Sequence, residues 1–393
     1  MNHSILNTNI QEFINKHLNA DISKLLLKGT LFSSVETKEI IEQIEAKKRS
    51  EKKLPTWFNT ENIYYPNKLN IEQTSSEITA NYKSNLINGE SIIDLTGGLG
   101  VDCYYFSKRF KTVWHCEIND SLSKIANHNY KQLYIQNIKT HHIDGLEYLK
   151  LNNKPYDWIY VDPSRRNDSK GKVFFLNDCL PNIPEHLDLL TKHSKNIMIK
   201  TSPLLDFSVG INELKYVKTI HVVAVNNEVK ELLWILERNY SGETSIETIN
   251  LKKEKKECFN FLLDEEKASQ SNYNQTLAYL YEPNSSILKA GGFHSVSNQL
   301  NVYKLHQHSH LYTSEKLLNF PGRCFKIEKT IPFNKKELKK EAIKKANITI
   351  RNFPETVQQI RKKFNIKDGG SLYLFFTTDI DDNKVVIICT KAN

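Results

Sequence analysis

Four acidic residues stand where an apolar strand gives way to a loop. Asp94 follows Ser91-Ile92-Ile93 and opens Leu95-Thr96-Gly97-Gly98-Leu99-Gly100-Val101-Asp102; Glu117 closes the run Lys111 to Glu117; Asp144 closes Thr140 to Asp144. Asp162 closes Tyr156 to Asp162 and runs into Pro163-Ser164-Arg165-Arg166. The glycines at 97, 98 and 100 allow a tight turn, and Val101 to Arg109 has the composition of a helix start. Glycine suits that turn because a side chain would block the approach of backbone to ligand and because the turn calls for positive φ. A phosphate site presents bare N–H groups to an anion. Here Asp94 and Asp102 flank the turn with negative charge, so a cationic ligand fits better. Glu117 stands where an acid can hold a ribose diol.

The elements that must position these acids alternate strand and helix from Ser91 to about Lys200, the pattern of a doubly wound parallel sheet. Ligands of such sheets sit outside the carboxyl ends of the strands, where Asp94, Glu117, Asp144 and Asp162 converge. Asn196 to Lys200 is a fifth strand, leading into Thr201-Ser202-Pro203. Val217 to Val225 and Glu231 to Leu236, separated by Asn226-Asn227-Glu228, read as a hairpin.

Together these features resemble the class I S-adenosylmethionine (SAM)-dependent methyltransferases: strand one ending in Asp with T-G-G-L-G-x-D, Glu117 after strand two, Asp144-Gly145 after strand three and D-P-S-R-R after strand four. More closely, the chain is similar to the subgroup with a THUMP-like or ferredoxin-like C-terminal region, presumed to act on RNA. The likeness covers roughly Asn70 to the C-terminus, and a terminal antiparallel pair is what this class appends to its sheet. It implies an α/β, Rossmann-like sheet and SAM as cofactor, held by Asp94, Thr96, Gly97, Gly98, Gly100, Asp102, Glu117, Ile118, Asp144 and Gly145. It also makes Gln73 and Ser75, just before the first strand, candidate cofactor contacts.

Methyl transfer from a sulfonium is an in-line displacement, so a site must chiefly align nucleophile and methyl. The catalytic candidates are Asp162, Pro163, Arg165 and Arg166. Asp162 and the carbonyl near Pro163 can orient a ring or exocyclic nitrogen and take up its developing charge. Arg165 and Arg166 either grip a substrate phosphate or stack on a base, or else pair with Asp168, Asp178 or Glu185 nearby. Amino-methyltransferases that flip adenine usually follow Asp or Asn with two prolines and an aromatic. Ser164 and Arg165 replace the last two here, which lowers an adenine-N6 assignment. C5 chemistry on pyrimidines needs a cysteine nucleophile, and only Cys179 lies near in sequence.

With 393 residues, 39% hydrophobic and 10% aromatic, the chain is expected to fold as several domains. The expected divisions are a helical N-terminal segment, 1–70; a methyltransferase domain, 71–265; a small ferredoxin-like linking region, 275–322; and a basic THUMP-like α+β domain, 323–393. Glu265 to Asn274 reads as the linker, and the runs Ser245 to Leu251 and Cys258 to Asp264 as a hairpin appended to the methyltransferase domain. In the first segment, Glu42 to Lys53 is charged enough to be a solvated face, and Leu54 to Asn67 is loop-like. Its aromatics either cover a ligand or pack the N-terminal helices onto the next domain. His306, His308 and His310 are expected on one face of a strand, and no metal is expected. Six scattered cysteines without a C-x-x-C pair suggest reduced thiols, and with no signal peptide or membrane span the expected compartment is the cytoplasm.

The net charge of +9 is local. Between Arg323 and Lys367, fourteen Lys or Arg stand against four Glu, leaving the rest of the chain near neutrality. The last seventy or so residues read as βαβαββ, with helices Lys335 to Ala346 and Glu355 to Phe364 carrying most of the excess. A concentrated basic patch suits a structured RNA, contacted at phosphates by Lys336, Lys340, Lys344, Arg351, Arg361 and Lys362. The expected function is methyl transfer to RNA, at a base nitrogen. Two alternatives stand beside it: an RNA-binding protein that keeps the fold without turnover, and a small-molecule methyltransferase. The sequence does not give an oligomeric state.

Overall fold

A computed structural model describes residues 1–29, 32–165, 175–253 and 255–392, with only the backbone of Arg165. Two compact units form: Met1–Lys218 with Leu232–Ser241, and Thr219–Glu231 with Gly242–Asn393.

The first unit holds the sheet that the strand and helix alternation requires. Its strands are β1 (Gly89–Asp94), β2 (Phe110–Glu117), β3 (Ile138–His142), β4 (Tyr156–Val161) and β5 (Ser194–Thr201), and they run parallel in the order 3-2-1-4-5. At the centre Ile92 and Ile93 of β1, Ile159 and Tyr160 of β4 and Ile197 to Ile199 of β5 are all buried. Continuous burial is what a parallel strand covered by helices on both faces demands. The chain then enters β6 (Val217–Val225), turns at Asn226-Asn227 and returns as β7 (Glu228–Glu237), which pairs antiparallel with β5 through Ile199 and Trp234. The hairpin expected there is present.

Helices connecting the strands begin where the sequence supplies a cap. Asn119 accepts the amide of Leu122 at 3.0 Å to start Asp120–Gln132. Asp144 accepts those of Leu146 and Glu147 at 2.8 and 3.1 Å to start Gly145–Leu151. The third strand ends at His142, two residues before the expected Asp144, which is instead the cap of the following helix.

Two expectations for the N-terminal segment are corrected. Glu42 to Lys53 belongs to the helix Thr37–Lys53, and its Gln43, Ile44, Ala46, Lys47 and Ser50 are buried. Ile40, Ile44 and Lys47 recur at helical spacing, so the charged run hides one packed stripe; Lys47 lies there with its pKa lowered by burial. Leu54 to Asn67 is not all loop, because Pro55 opens a short helix, Pro55–Asn59. Its Trp57 is fully buried with its ring 4.8 Å from Tyr104, and Tyr64 and Tyr65 are buried too. The packing role of these aromatics is the one the structure bears out.

In the second unit, Ser245–Leu251 and Lys256–Leu262 pair antiparallel, as the expected hairpin requires. Within this unit Asn284, the cap of the helix Ser285–Ala290, reaches Glu257 at 3.4 Å, and the Ser285 amide donates to Asn227 at 2.8 Å. The expected linker begins inside a helix, Leu263–Ala268. The C-terminal βαβαββ order is present as Gly322–Pro332, Lys335–Lys340, Asn347–Ile350, Val357–Phe364, Leu372–Thr378 and Lys384–Lys391. The first helix is shorter than expected. Alternation along the last two strands splits their side chains: Leu374, Phe376, Val386 and Ile388 face Leu338 and Ile360 of the helices, while Phe375, Val385 and Ile387 meet Leu280 and Phe325.

His306 to His310 do not form a strand. The segment is a bend in which buried His306 accepts at Nδ1 from the His308 amide (3.1 Å) and from Asn352 (3.0 Å), leaving Nε2 facing Asp382 at 3.0 Å. Among the described residues no group of three or more His, Cys, Asp or Glu is placed to hold a metal ion, and no helix is long and apolar enough to cross a membrane.

Candidate cofactor site and catalytic loop

The carboxyl ends of β1, β2 and β4 and the β3 loop open onto a cavity of about 700 Å³. That lies within the ~300–1,000 Å³ common to small-ligand sites. Asp94, Glu117, Asp144 and Asp162 all line it, and so do Gln73, Ser75, Thr96, Gly97, Gly98, Asp102, Ile118 and Gly145. Gly100 lies in the turn without lining the cavity.

The turn is built around Asp94. Its Oδ1 accepts from the Thr96 amide at 2.8 Å and from Thr96 Oγ1 at 3.1 Å, and its Oδ2 accepts from Cys103 at 3.3 Å. Thr96 Oγ1 also accepts the Asp162 amide at 2.8 Å, so one hydroxyl ties the β1 loop to the β4 loop. Burial pushes the Asp94 carboxyl up to about 7, with the charge of Asp102 adding to the shift.

Asp102 does something other than present charge to a ligand. It is held by the buried Lys83 ammonium at 3.1 Å and by the hydroxyls of Ser75 and Tyr160 at 2.8 and 2.9 Å. Burial alone would raise its pKa; the Lys83 and Lys200 charges and the two hydroxyls outweigh that and hold it below the usual carboxylate value. Of the two acids expected to flank the turn with negative charge, only Asp94 lacks a cationic partner among the described residues.

The glycines answer to packing as much as to ligand access. Gly98 and Gly100 have φ of 56° and 84°. A Cβ on Gly97 would lie 2.2 Å from His115, and one on Gly100 1.8 Å from the Tyr130 hydroxyl. His115 itself is buried and neutral, its pKa lowered to about 4 by burial, with Nε2 3.2 Å from the Gly98 carbonyl. At Gly145 a Cβ would meet the Leu95 backbone at 2.4 Å, with no side chain to move aside. Gly145→Ala is therefore expected to cost about 1–3 kcal/mol, read as a lower thermal midpoint, and to weaken ligand binding because the β1 loop must shift.

Glu117 accepts the Gly98 amide at 2.8 Å and the Asn119 amide at 2.7 Å, one on each oxygen, which fixes its carboxylate at the cavity wall. Beside it Ile118, also lining the cavity, is 67% exposed. Asp162, half-buried, forms an ion pair with Lys200 of β5. Pro163 lines a separate small cavity of about 40 Å³ with Phe175, Cys179 and Thr201. The backbone of Ser164–Arg165 pairs with Cys179–Leu180. Arg166 lies outside the described residues.

That short ladder explains what the sequence reading missed. It brings Leu180, Pro181 and Asn182 to the cavity, with Glu185 and His186 of the next helix. Leu180 is 52% exposed there. Lys83 and Lys200 were also missed.

A crystal structure described as a "putative methyltransferase from Porphyromonas gingivalis W83" is 33% identical to this chain, with all of each chain covered and a TM-score of 0.91. The chain belongs to that methyltransferase family. Family models match the second unit of this methyltransferase in two parts, a ferredoxin-like domain over residues 279–321 and a THUMP domain-like region over 322–391. An uncharacterized RNA methyltransferase of Mycoplasma mobile is 31% identical over 97 residues, 24% of this chain. The match spans 27%, about a quarter, of that relative's length.

Of the residues expected to meet RNA, Lys340 pairs with Glu337 at 2.7 Å, Arg351 with Glu282 at 2.8 Å and Arg361 with Asp368. Lys336, Lys344 and Lys362 are exposed.

Proposed function

We propose that this protein transfers a methyl group from SAM to RNA, at a base nitrogen, with its basic C-terminal region binding the RNA, and that it acts in the cytoplasm. The observation that carries the reading is the convergence of Asp94, Glu117, Asp144 and Asp162 on one cavity behind a glycine turn. The donor set suits the cofactor. A buried carboxyl without a cation suits an ammonium, a pinned Glu117 suits a ribose diol, and exposed Ile118 suits a flat ring. When bound, SAM supplies an electrophilic methyl on a sulfonium. The protein's part is alignment: Thr96 fixes the β1 and β4 loops together, and the Asp162 carboxylate, steadied by Lys200, accepts a hydrogen bond from the target nitrogen and balances its developing charge. The RNA target is supported by the basic C-terminal region, its THUMP domain-like match and the Mycoplasma relative.

Calorimetric titration with SAM tests the cofactor: saturable binding is expected, with affinity lowered roughly tenfold to a hundredfold in Asp94→Asn. No heat of binding at millimolar SAM would overturn the reading.

The pH dependence has a definite sign. A carboxyl raised to about 7 in the folded protein favours its protonated form, and the stability this gives is lost as pH rises through that value. An ammonium ligand needs the carboxylate. Affinity for SAM should therefore fall about tenfold for each pH unit below about 7, binding should release a proton there, and Asp94→Asn should flatten the profile. Titrations in buffers of different ionisation enthalpy read the proton directly.

A further inference from the structure

The second unit contains a cleft of about 770 Å³ in which three separate segments place cations around aromatic rings. Lys252 and Lys255 come from the hairpin turn, Arg323 from the start of the strand Gly322–Pro332, and Lys391 from the end of Lys384–Lys391. Glu257 is the one carboxylate among the described lining residues, and it is already committed: it is 5% exposed, pairs with Lys252 and accepts from Asn250 at 2.9 Å. Arg323 donates through Nε to Glu282 at 2.6 Å and lies over the Phe325 ring at 5.4 Å. Lys255 and Lys391 are exposed, and neither has a carboxylate at ion-pair distance among the described residues. Tyr373, half-buried, completes one wall with its ring 4.9 Å from that of Phe325.

We propose that this cleft is a subsite for single-stranded RNA, with phosphates at Lys255 and Lys391 and a base against Tyr373. The proposal rests on the reading of RNA as substrate and moves its main anchor away from the C-terminal helices. Lysines gathered in a concave wall focus potential on an anion; Lys252 and Arg323 are paired with Glu257 and Glu282, as Lys340, Arg351 and Arg361 are with their carboxylates, but Lys255 and Lys391 add two uncompensated charges inside a cleft rather than on an open helix face. An aromatic wall adds what a plain phosphate site has no use for, a face on which a base can stack. The size also exceeds what one free phosphate needs, and an acidic peptide would leave the ring wall without a matching partner.

Fluorescence anisotropy with labelled oligouridylate and with total transfer RNA, across a salt series, tests this on the full chain. Lys255→Glu with Lys391→Glu should weaken oligouridylate binding at least roughly tenfold and flatten the salt slope by about 0.7 for each lysine. Tyr373→Ala should weaken it roughly tenfold, with less effect on slope, and Tyr373→Phe should restore it. SAM binding should not change in any of these, and the thermal midpoint should hold in the lysine pair and in Tyr373→Phe, which separates loss of contact from the loss of packing that Tyr373→Ala also brings. Lys336→Glu with Lys362→Glu is the comparison. If that pair abolishes binding while the cleft pair does not, the cleft assignment fails and the RNA reading survives. If the wild-type protein binds neither RNA, both fail. Tighter binding of polyglutamate than of either RNA would likewise overturn the assignment.

Discussion

Asp162→Ala is expected to lower the rate of methyl transfer by roughly two to four orders of magnitude, the range lost when a positioned group that handles the nucleophile's proton and charge is removed. SAM affinity should change little, because the cofactor is assigned to the loops after β1, β2 and β3. The substitution also removes the Asp162 carboxylate from beside Lys200. Asp162→Asn separates these effects: it keeps a hydrogen-bond acceptor but no charge, and should recover part of the rate. Lys200→Met tests the same pair from the other side. A fall in kcat with little change in KM for SAM would mark Lys200 as a positioning residue acting through Asp162. Single-turnover rates with saturating SAM are the measurement. An Asp162→Ala enzyme as fast as wild type would remove Asp162 from the chemistry.

Lys83→Met is expected to destabilise the protein by about 3–5 kcal/mol, the range found when one partner of a buried ion pair is deleted. Lys83 is fully buried, with Asp102 at 3.1 Å and the Ser75 hydroxyl at 3.0 Å. Without its ammonium, Asp102 keeps the Ser75 and Tyr160 hydroxyls and the charge of Lys200, in a setting whose burial already disfavours charge. Urea unfolding followed by tryptophan fluorescence reads the loss. Adding Asp102→Asn to Lys83→Met should recover much of it, since the pair then carries no charge to bury. Ser75 lines the cavity proposed for SAM, so the single variant should weaken SAM binding too.

The strand-end acids and the glycine turn were legible because they ride on the strongest local signals, continuous apolar runs broken by glycine. Asp94, Glu117, Asp144 and Asp162 do meet at one cavity. What was not legible is how the protein neutralises its own charge. Asp102 carries a ligand-facing look in sequence, yet its charge is matched from a helix nineteen residues earlier. A signal existed: Lys83 sits at helical spacing from Ala80 and Ile87, on the stripe that turned out buried. Lys47 follows the same rule with Ile40 and Ile44. Leu180, Pro181 and Asn182 had no such signal, since a two-residue ladder after β4 brings them in. The alternation of the last two strands gave the C-terminal topology, but the histidine bend escaped because His306 is held by side chains from Asn352 and Asp382, far along the chain.

The most direct measurement is transfer of tritium from methyl-labelled SAM to RNA by the purified protein, followed by digestion to nucleosides. The account predicts label in RNA that comigrates with an N-methylated nucleoside and is lost in Asp162→Ala. Saturable SAM binding with no label in any cellular RNA, or label on a small molecule instead, would contradict it.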